Sequence, residues 1–145
     1  MRRSDGAILG PVSHLDYPDR SKGGINQSAA MRVGLDLYAN IRPCKSRPGL
    51  GHTQKPMDLV IVREATEGFY ADRNMFTGTG EFMPTPDLAL AVRKVTAKGS
   101  SRIARTGFEL ARARSRKKLT LVHKANVLRV SDGLFLQEEI GRASC

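Results

Sequence analysis

No apolar run in the sequence approaches the roughly 20 residues needed to cross a bilayer, and the opening Met1-Arg2-Arg3-Ser4-Asp5 lacks the apolar core of a signal peptide. Both absences argue for a cytoplasmic chain with no membrane partner. Cysteine is scarce as well. The two present, Cys44 and Cys145, lie far apart with no second pair and no His-x-x-x-His partner, so they read as reduced thiols and not as a zinc framework or disulfide scaffold. The three histidines, His14, His52 and His123, are equally scattered, which argues against a metal cluster and for surface or loop positions. There is no internal repeat of solenoid type. Acidic residues are outnumbered 14 to 24 by Lys and Arg, and the resulting charge of +10 could draw phosphates, nucleic acid or polycarboxylates. The densest basic run, Arg112, Arg114, Arg116, Lys117 and Lys118, falls where a helix should be ending, so its cations complement the helix dipole. No aromatic residues interleave that run and no nucleic-acid motif accompanies it, which disfavours nucleic acid as a partner.

What is present suits an ordinary globular domain: 145 residues, 40% hydrophobic and 26% charged, enough to bury a core. Gly6–Pro11 reads as a short buried strand closed by Gly-Pro, followed by a polar loop over 16–24. Ser28 to Asp36 has Met31 and Leu35 four residues apart on one helical side, and Leu37 to Ile41 returns to extended structure before Pro43. After a Gly- and Pro-rich connection from Arg47 to Pro56, the continuous apolar run Met57 to Val62 predicts a buried strand. Arg63 and Glu64 end it, at the carboxyl end of a strand where ligands gather in α/β sheets. Ala71 to Asp87 shows little periodicity, and Leu88 to Thr96 alternates like a strand in its second half. A helix follows from an N-cap at Ser101, with Ile103, Ala104, Gly107, Phe108 and Ala111 as its inner face and an end near Arg114. Leu119 to Val122 reads as the next strand, and a last helix begins near Ser131.

Arg32, Arg42 and Arg63 stand on three separate elements. If they converge, their planar forks suit bidentate binding of carboxylates, and a small polycarboxylate is implied. Taken singly, each reads as a solvated arginine. Tyr70 and Lys124 are candidate proton carriers, since a phenol and an ammonium exchange protons near neutral pH where neighbouring cations or burial favour their deprotonated forms. A tyrosine so placed is otherwise a packed ring with a wet hydroxyl.

In order, the words Leu37-Tyr38-Ala39-Asn40-Ile41-Arg42-Pro43, Val62-Arg63-Glu64-Ala65-Thr66-Glu67-Gly68-Phe69-Tyr70 and Lys124-Ala125-Asn126-Val127-Leu128, with Arg32 ten residues before Arg42, closely resemble the isocitrate and isopropylmalate dehydrogenase family. The resemblance runs from about Asp5 to about Gln137. It implies an α/β fold of two domains, of which 1–39 would be part of the larger one and 40–138 most of the smaller, dimerising one, with an arm at about 71–96 that clasps a second subunit. It also implies an NAD- or NADP-dependent oxidative decarboxylase of 3-substituted malates that uses Mg2+ or Mn2+ and works as a homodimer. By that resemblance Arg32, Arg42 and Arg63 hold the substrate carboxylates, Lys124 helps remove the hydroxyl proton, in the neighbouring subunit's site, Tyr70 protonates the enol, and Asn126 lies near the nicotinamide.

The family's Gly-rich first strand, its aspartate metal ligands and its later cofactor loop have no counterpart here, so no metal ligand is assigned and the 145 residues alone are expected to be inactive. The ending over 139–145 does not follow the family pattern and reads as a foreign tail. Substrate choice in the family depends on the turn before the first arginine, here Ile25-Asn26-Gln27-Ser28-Ala29. Polar Asn26 and Ser28 offer an isopropyl group little contact, which favours tartrate, malate or isocitrate over isopropylmalate. The contrasting reading is a non-catalytic module, either a basic binding protein or a dimerising regulator of a complete relative.

Overall fold

Asn26 opens the first α-helix of the computed structural model, which describes residues 3–13, 16–47, 49 and 55–143. The readings of His14, His52 and Cys145 fall outside the described residues, as does most of the connection over 48–54. Contacts divide the chain between Leu37 and Tyr38 into two units.

In the first unit, the Asn26 side chain accepts a 3.0 Å hydrogen bond from the Ala29 amide and caps α1, Gln27–Gly34. The helix ends where Asp36 takes the left-handed conformation (φ 48°) and the Leu37 amide donates back to the Arg32 carbonyl at 2.9 Å. Gly6–Pro11 forms no strand, contrary to expectation, and Ile8 is fully exposed. A strand needs a neighbour for its backbone groups, and none is found in this unit among the described residues.

The second unit opens on an antiparallel pair, β1 (Ala39–Lys45) and β2 (Asp58–Glu64), in the register Asn40 to Arg63 and Arg42 to Ile61. Pro43 is tolerated in β1 because that strand has a neighbour on one side only. The run expected to be a fully buried strand is half covered: Val60, Val62 and Glu64 face inward while Leu59, Ile61 and Arg63 are exposed. α2 packs on one face of β2, and no described element covers the other. The stretch over 71–87, expected to be irregular, contains a 3-10 turn, Ala71–Arg73, and β3, Glu81–Thr85. β3 pairs antiparallel with β4, Leu88–Ala91, so the strand lies in the first half of its predicted span and not the second.

α2 runs from Ala97 to Ala113. It begins earlier than predicted because the Thr96 hydroxyl accepts the Gly99 amide at 3.0 Å and supplies the cap assigned to Ser101. Its inner face is the expected one, with Ile103, Ala104 and Gly107 buried. Arg114 at its end donates to Asp58, so part of the basic run is held structurally. Leu119–Val122 does not become a strand, because it has no strand partner among the described residues. α3, Ser131–Ala143, packs on α2.

The apolar core among the described residues is small: Ala65, Ile103 and Ala104. β2, α2, Leu119–Val122 and the inner side of α3 line an open cleft of about 1060 Å3. Glu139 of α3 lines it, 3% exposed, and its Oε2 has no hydrogen-bond partner. Among charged groups lining the same cleft, Arg93 is engaged by Asp132, Lys94 by the Arg73 carbonyl and Glu67 by Thr96. Burial therefore acts on Glu139 uncompensated and raises its carboxyl from 4.5 to about 7. A carboxyl raised on folding leaves stability intact below about 4.5 and withdraws it as pH climbs through 7. We expect the chain to lose up to about 3 kcal/mol between pH 4.5 and 8, less to the extent that water reaches the group. E139Q should flatten that slope in urea melts taken across the range, and an unchanged slope would show that Glu139 is not its source.

Candidate active-site face

The strand register sets the geometry. Side chains alternate across a sheet, so Asn40 and Arg42 of β1 share one face with Ile61 and Arg63 of β2. Arg42 and Arg63 stand diagonally, a placement of about 7–8 Å that long side chains bridge. Arg42 Nε donates to Asn40 Oδ1 at 2.9 Å. Neither guanidinium has a carboxylate partner among the described residues, in contrast to Arg73, Arg93, Arg102 and Arg114, which pair with Asp72, Asp132, Glu64 and Asp58. Two exposed guanidinium forks thus share one sheet face with no acid beside them, and such forks match the geometry of carboxylates.

Beyond β2 the chain reverses through a loop tied by its own acids. The Glu64 carboxylate accepts the Thr66 and Glu67 amides at 2.8 and 2.7 Å and the Arg102 guanidinium at 3.2 Å. Gly68 then takes φ +81°, a conformation that costs a side-chain-bearing residue strain. The Glu67 carboxylate accepts the Thr96 amide at 3.0 Å, and Gly68 and Lys94 exchange two backbone hydrogen bonds of 2.9 Å. The loop is thereby fastened to the entrance of α2, and its last residue, Tyr70, is turned back toward the sheet. Arg63 Nη2 donates to the Tyr70 hydroxyl at 3.1 Å, with the Arg63 and Arg73 guanidiniums 5.7 and 4.7 Å from the ring centre. The predicted pair Arg63 and Tyr70 is in contact, then, and Arg42 shares its face.

Lys124 lies on a separate turn. Its side chain is exposed, its carbonyl accepts the Val127 and Leu128 amides at 3.0 and 2.8 Å, and its amide donates to Asp132 Oδ2 at 2.6 Å. Asn126 is exposed on the same turn. Burial alone would push the Asp132 carboxyl up, but hydrogen bonds from Arg93 and from the Lys124 amide, with the nearby Arg93 and His123, hold it below the usual range. The structure does not bring Lys124 and Asn126 into contact with Arg63 or Tyr70. Arg32 belongs to the first unit, half-buried on α1, where Ser28 is also half-buried and Asn26 is committed to capping.

Sequence reasoning missed the residues that hold these groups in place: Glu67, Arg93, Thr96, Arg102 and Asp132. Asp132 had a local signal, an acid in the first turn of a helix; the others act across 29 to 39 residues of chain. Asp132 is 2% exposed and accepts from both Arg93 and the Lys124 amide, so D132A should cost about 1–3 kcal/mol. Urea denaturation would measure it, and a loss under about 1 kcal/mol, the value of a surface pair, would contradict the assigned role.

Among the described residues no group of three or more His, Cys, Asp or Glu side chains could hold a metal ion. No helix among them is long and apolar enough to cross a membrane.

Comparison with known proteins shows the family. The family model described as isocitrate/isopropylmalate dehydrogenase matches residues 1–143. The chain is 38% identical over 138 residues to a mitochondrial isocitrate dehydrogenase [NAD] regulatory subunit of Dictyostelium discoideum, covering 94% of this chain and 35% of that protein. It is 41% identical over 121 residues to the 3-isopropylmalate dehydrogenase of Sulfurisphaera tokodaii, covering 80% and 34%. The crystal structure of isocitrate dehydrogenase from Methylococcus capsulatus superposes with a TM-score of 0.64 at 43% identity, covering 77% of this chain and 32% of that one. The chain thus spans about a third of the length of the curated relatives it matches. Its mixed α/β architecture is that of isocitrate dehydrogenase, in part, and the chain belongs to the isocitrate/isopropylmalate dehydrogenase family.

Proposed function

We propose that this chain carries the carboxylate-gripping face and both proton carriers of an NAD- or NADP-dependent oxidative decarboxylase acting on 3-substituted malates. The observation that carries the reading is the contact of Arg63 with Tyr70 beside Arg42, on a sheet face where neither arginine has an acid to neutralise it. Arg42 and Arg63, with Arg32, clamp the carboxylates and fix the substrate's orientation. The Lys124 amine takes the C2 hydroxyl proton. When bound, the nicotinamide accepts the hydride from C2, and Asn126 is the residue of this chain assigned to it. Loss of carbon dioxide from the resulting β-keto carboxylate leaves an enolate, whose C3 receives the Tyr70 proton. The names of relatives as isocitrate dehydrogenase [NAD] subunits support NAD. Mg2+ or Mn2+ belongs to parts of a complete subunit outside these residues.

The working form is a homodimer in which Lys124 serves the neighbouring site. Support comes from the β3–β4 hairpin, where Phe82, Met83, Leu88 and Leu90 are all exposed, an apolar surface of the kind that marks an interface. Among substrates, Asn26 and Ser28 favour a small or polar C3 group. A panel of tartrate, malate, isocitrate and isopropylmalate, run on a complete subunit carrying this chain, should rank isopropylmalate last; a strong preference for it would refute the assignment. The 145 residues alone, given Mg2+ or Mn2+ and NAD or NADP, should show no turnover, and decarboxylation by them would overturn that expectation.

A second reading has support in the names of two relatives, both regulatory subunits. In that case the chain belongs to a non-catalytic partner of a complete enzyme. Co-purification with an active subunit, together with loss of the panel activity when that subunit is removed, would favour it.

A further inference from the structure

Asn40 neighbours both arginines of the sheet face: Arg63 lies directly opposite it in the register, and Arg42 follows two residues on along the same strand. Its side chain is half-buried, whereas both arginines are exposed. A guanidinium carries donors only, so the atom that meets Arg42 Nε at 2.9 Å has to be the amide oxygen of Asn40. An exposed arginine samples many rotamers, and ordering it on binding subtracts from affinity. The bond to Asn40 provides part of that order before any acid arrives. It also selects an edge of the fork. With Nε engaged, a carboxylate meets Arg42 end-on, across Nη1 and Nη2.

The charge of the partner matters as much as the bond. Arg73, Arg93, Arg102 and Arg114 each pair with a carboxylate, which holds the guanidinium and cancels its charge. Arg42 and Arg63 are held instead by neutral oxygens, the Asn40 amide at 2.9 Å and the Tyr70 phenol at 3.1 Å. A neutral acceptor directs the fork and leaves the positive charge for a ligand. Aspartate at position 40 would hold Arg42 at least as well, but would set a negative charge beside Arg42 and across from Arg63, where it competes with an incoming anion. We propose that Asn40 is a positioning residue of the carboxylate clamp, aiming the Nη edge of Arg42 without neutralising it, a role that rests on the reading of this face as the place where the hydroxy acid binds.

Steady-state kinetics of a complete subunit carrying this chain test the role, using the acid that it turns over fastest among tartrate, malate, isocitrate and isopropylmalate. N40A should lower kcat/KM about tenfold, the worth of one hydrogen bond, through KM and with kcat within about threefold. N40D keeps an oxygen for Nε but adds a charge, and should lower kcat/KM at least about a hundredfold. Were holding Arg42 the whole of its task, aspartate would serve better than alanine. The decisive comparison is between backgrounds. Beside R114M, N40A should keep its full tenfold cost, whereas beside R42M it should cost nothing further, because the fork that it aims is gone. A tenfold cost that persists in R42M would place the effect in the fold of the strand and overturn the assignment. N40A equal to the parent, or N40D more active than N40A, would overturn it as well. An unchanged KM in R42M itself would sink the carboxylate reading of this face, and the role of Asn40 with it.

Discussion

Replacing Arg63 with methionine in a complete subunit carrying this chain should lower kcat/KM by about a thousandfold. Two losses combine. A charge-assisted, bidentate contact to a substrate carboxylate is worth several kcal/mol when its partner is left without a counter-charge, and about 4 kcal/mol corresponds to three powers of ten. Arg63 also donates to the Tyr70 hydroxyl, so its removal frees the ring that it orients. Both KM and kcat should therefore change. R63K keeps the charge but not the fork, and should recover only part of the loss. Arg114 gives the control. It pairs with Asp58 on the opposite face from Arg42 and Arg63, and R114M should leave kcat/KM within about twofold, as surface pairs do. Equal losses in R63M and R114M would mean that net charge, and not this face, is what the substrate feels.

The second large effect is expected from Tyr70→Phe, with kcat falling about 10^2- to 10^4-fold, the usual contribution of a positioned proton donor. The ring stays between the Arg63 and Arg73 guanidiniums, so KM should move by no more than about threefold. A packed ring with an incidental hydroxyl would give neither the fall in kcat nor the split between kcat and KM. The split separates this role from that of Arg63, where both parameters should suffer.

Much of this arrangement could be read from the residues because its causes are local. Arg63 and Tyr70 are seven apart, and the turn between them is written in Glu64, which binds the amides two and three residues on, and in Gly68, which takes the left-handed bend. The inner face of α2 was legible from the spacing of Ile103, Ala104 and Gly107, and its end from the basic run that follows. What stayed hidden depends on distant partners. Thr96 starts α2 instead of Ser101 because its hydroxyl reaches the Gly99 amide while Glu67, 29 residues earlier, holds its own amide. Gly6–Pro11 and Leu119–Val122 have strand composition but no strand beside them, and a strand exists only with a neighbour. The apolar run Met57 to Val62 suggested burial on both faces, whereas the second face of β2 carries Arg63 and, across the register, Arg42. That misreading matters, because the uncovered face is the one available to a ligand. Asn26, read as a specificity residue, is engaged as the cap of α1, so its amide has a structural duty whatever it also meets.

The contacts divide the chain between Leu37 and Tyr38. At the other end, α3 continues as a helix through Ala143 and the family match runs to residue 143.

The most direct test is a crystal structure of a complete dimer carrying this chain with its hydroxy acid bound. Carboxylate oxygens should lie about 2.7–2.9 Å from guanidinium nitrogens of both Arg42 and Arg63. The Tyr70 hydroxyl should stand over C3, and Lys124 should approach the C2 hydroxyl from the neighbouring protomer. An acid bound elsewhere, with Arg42 and Arg63 extended into solvent, would contradict the account at its centre.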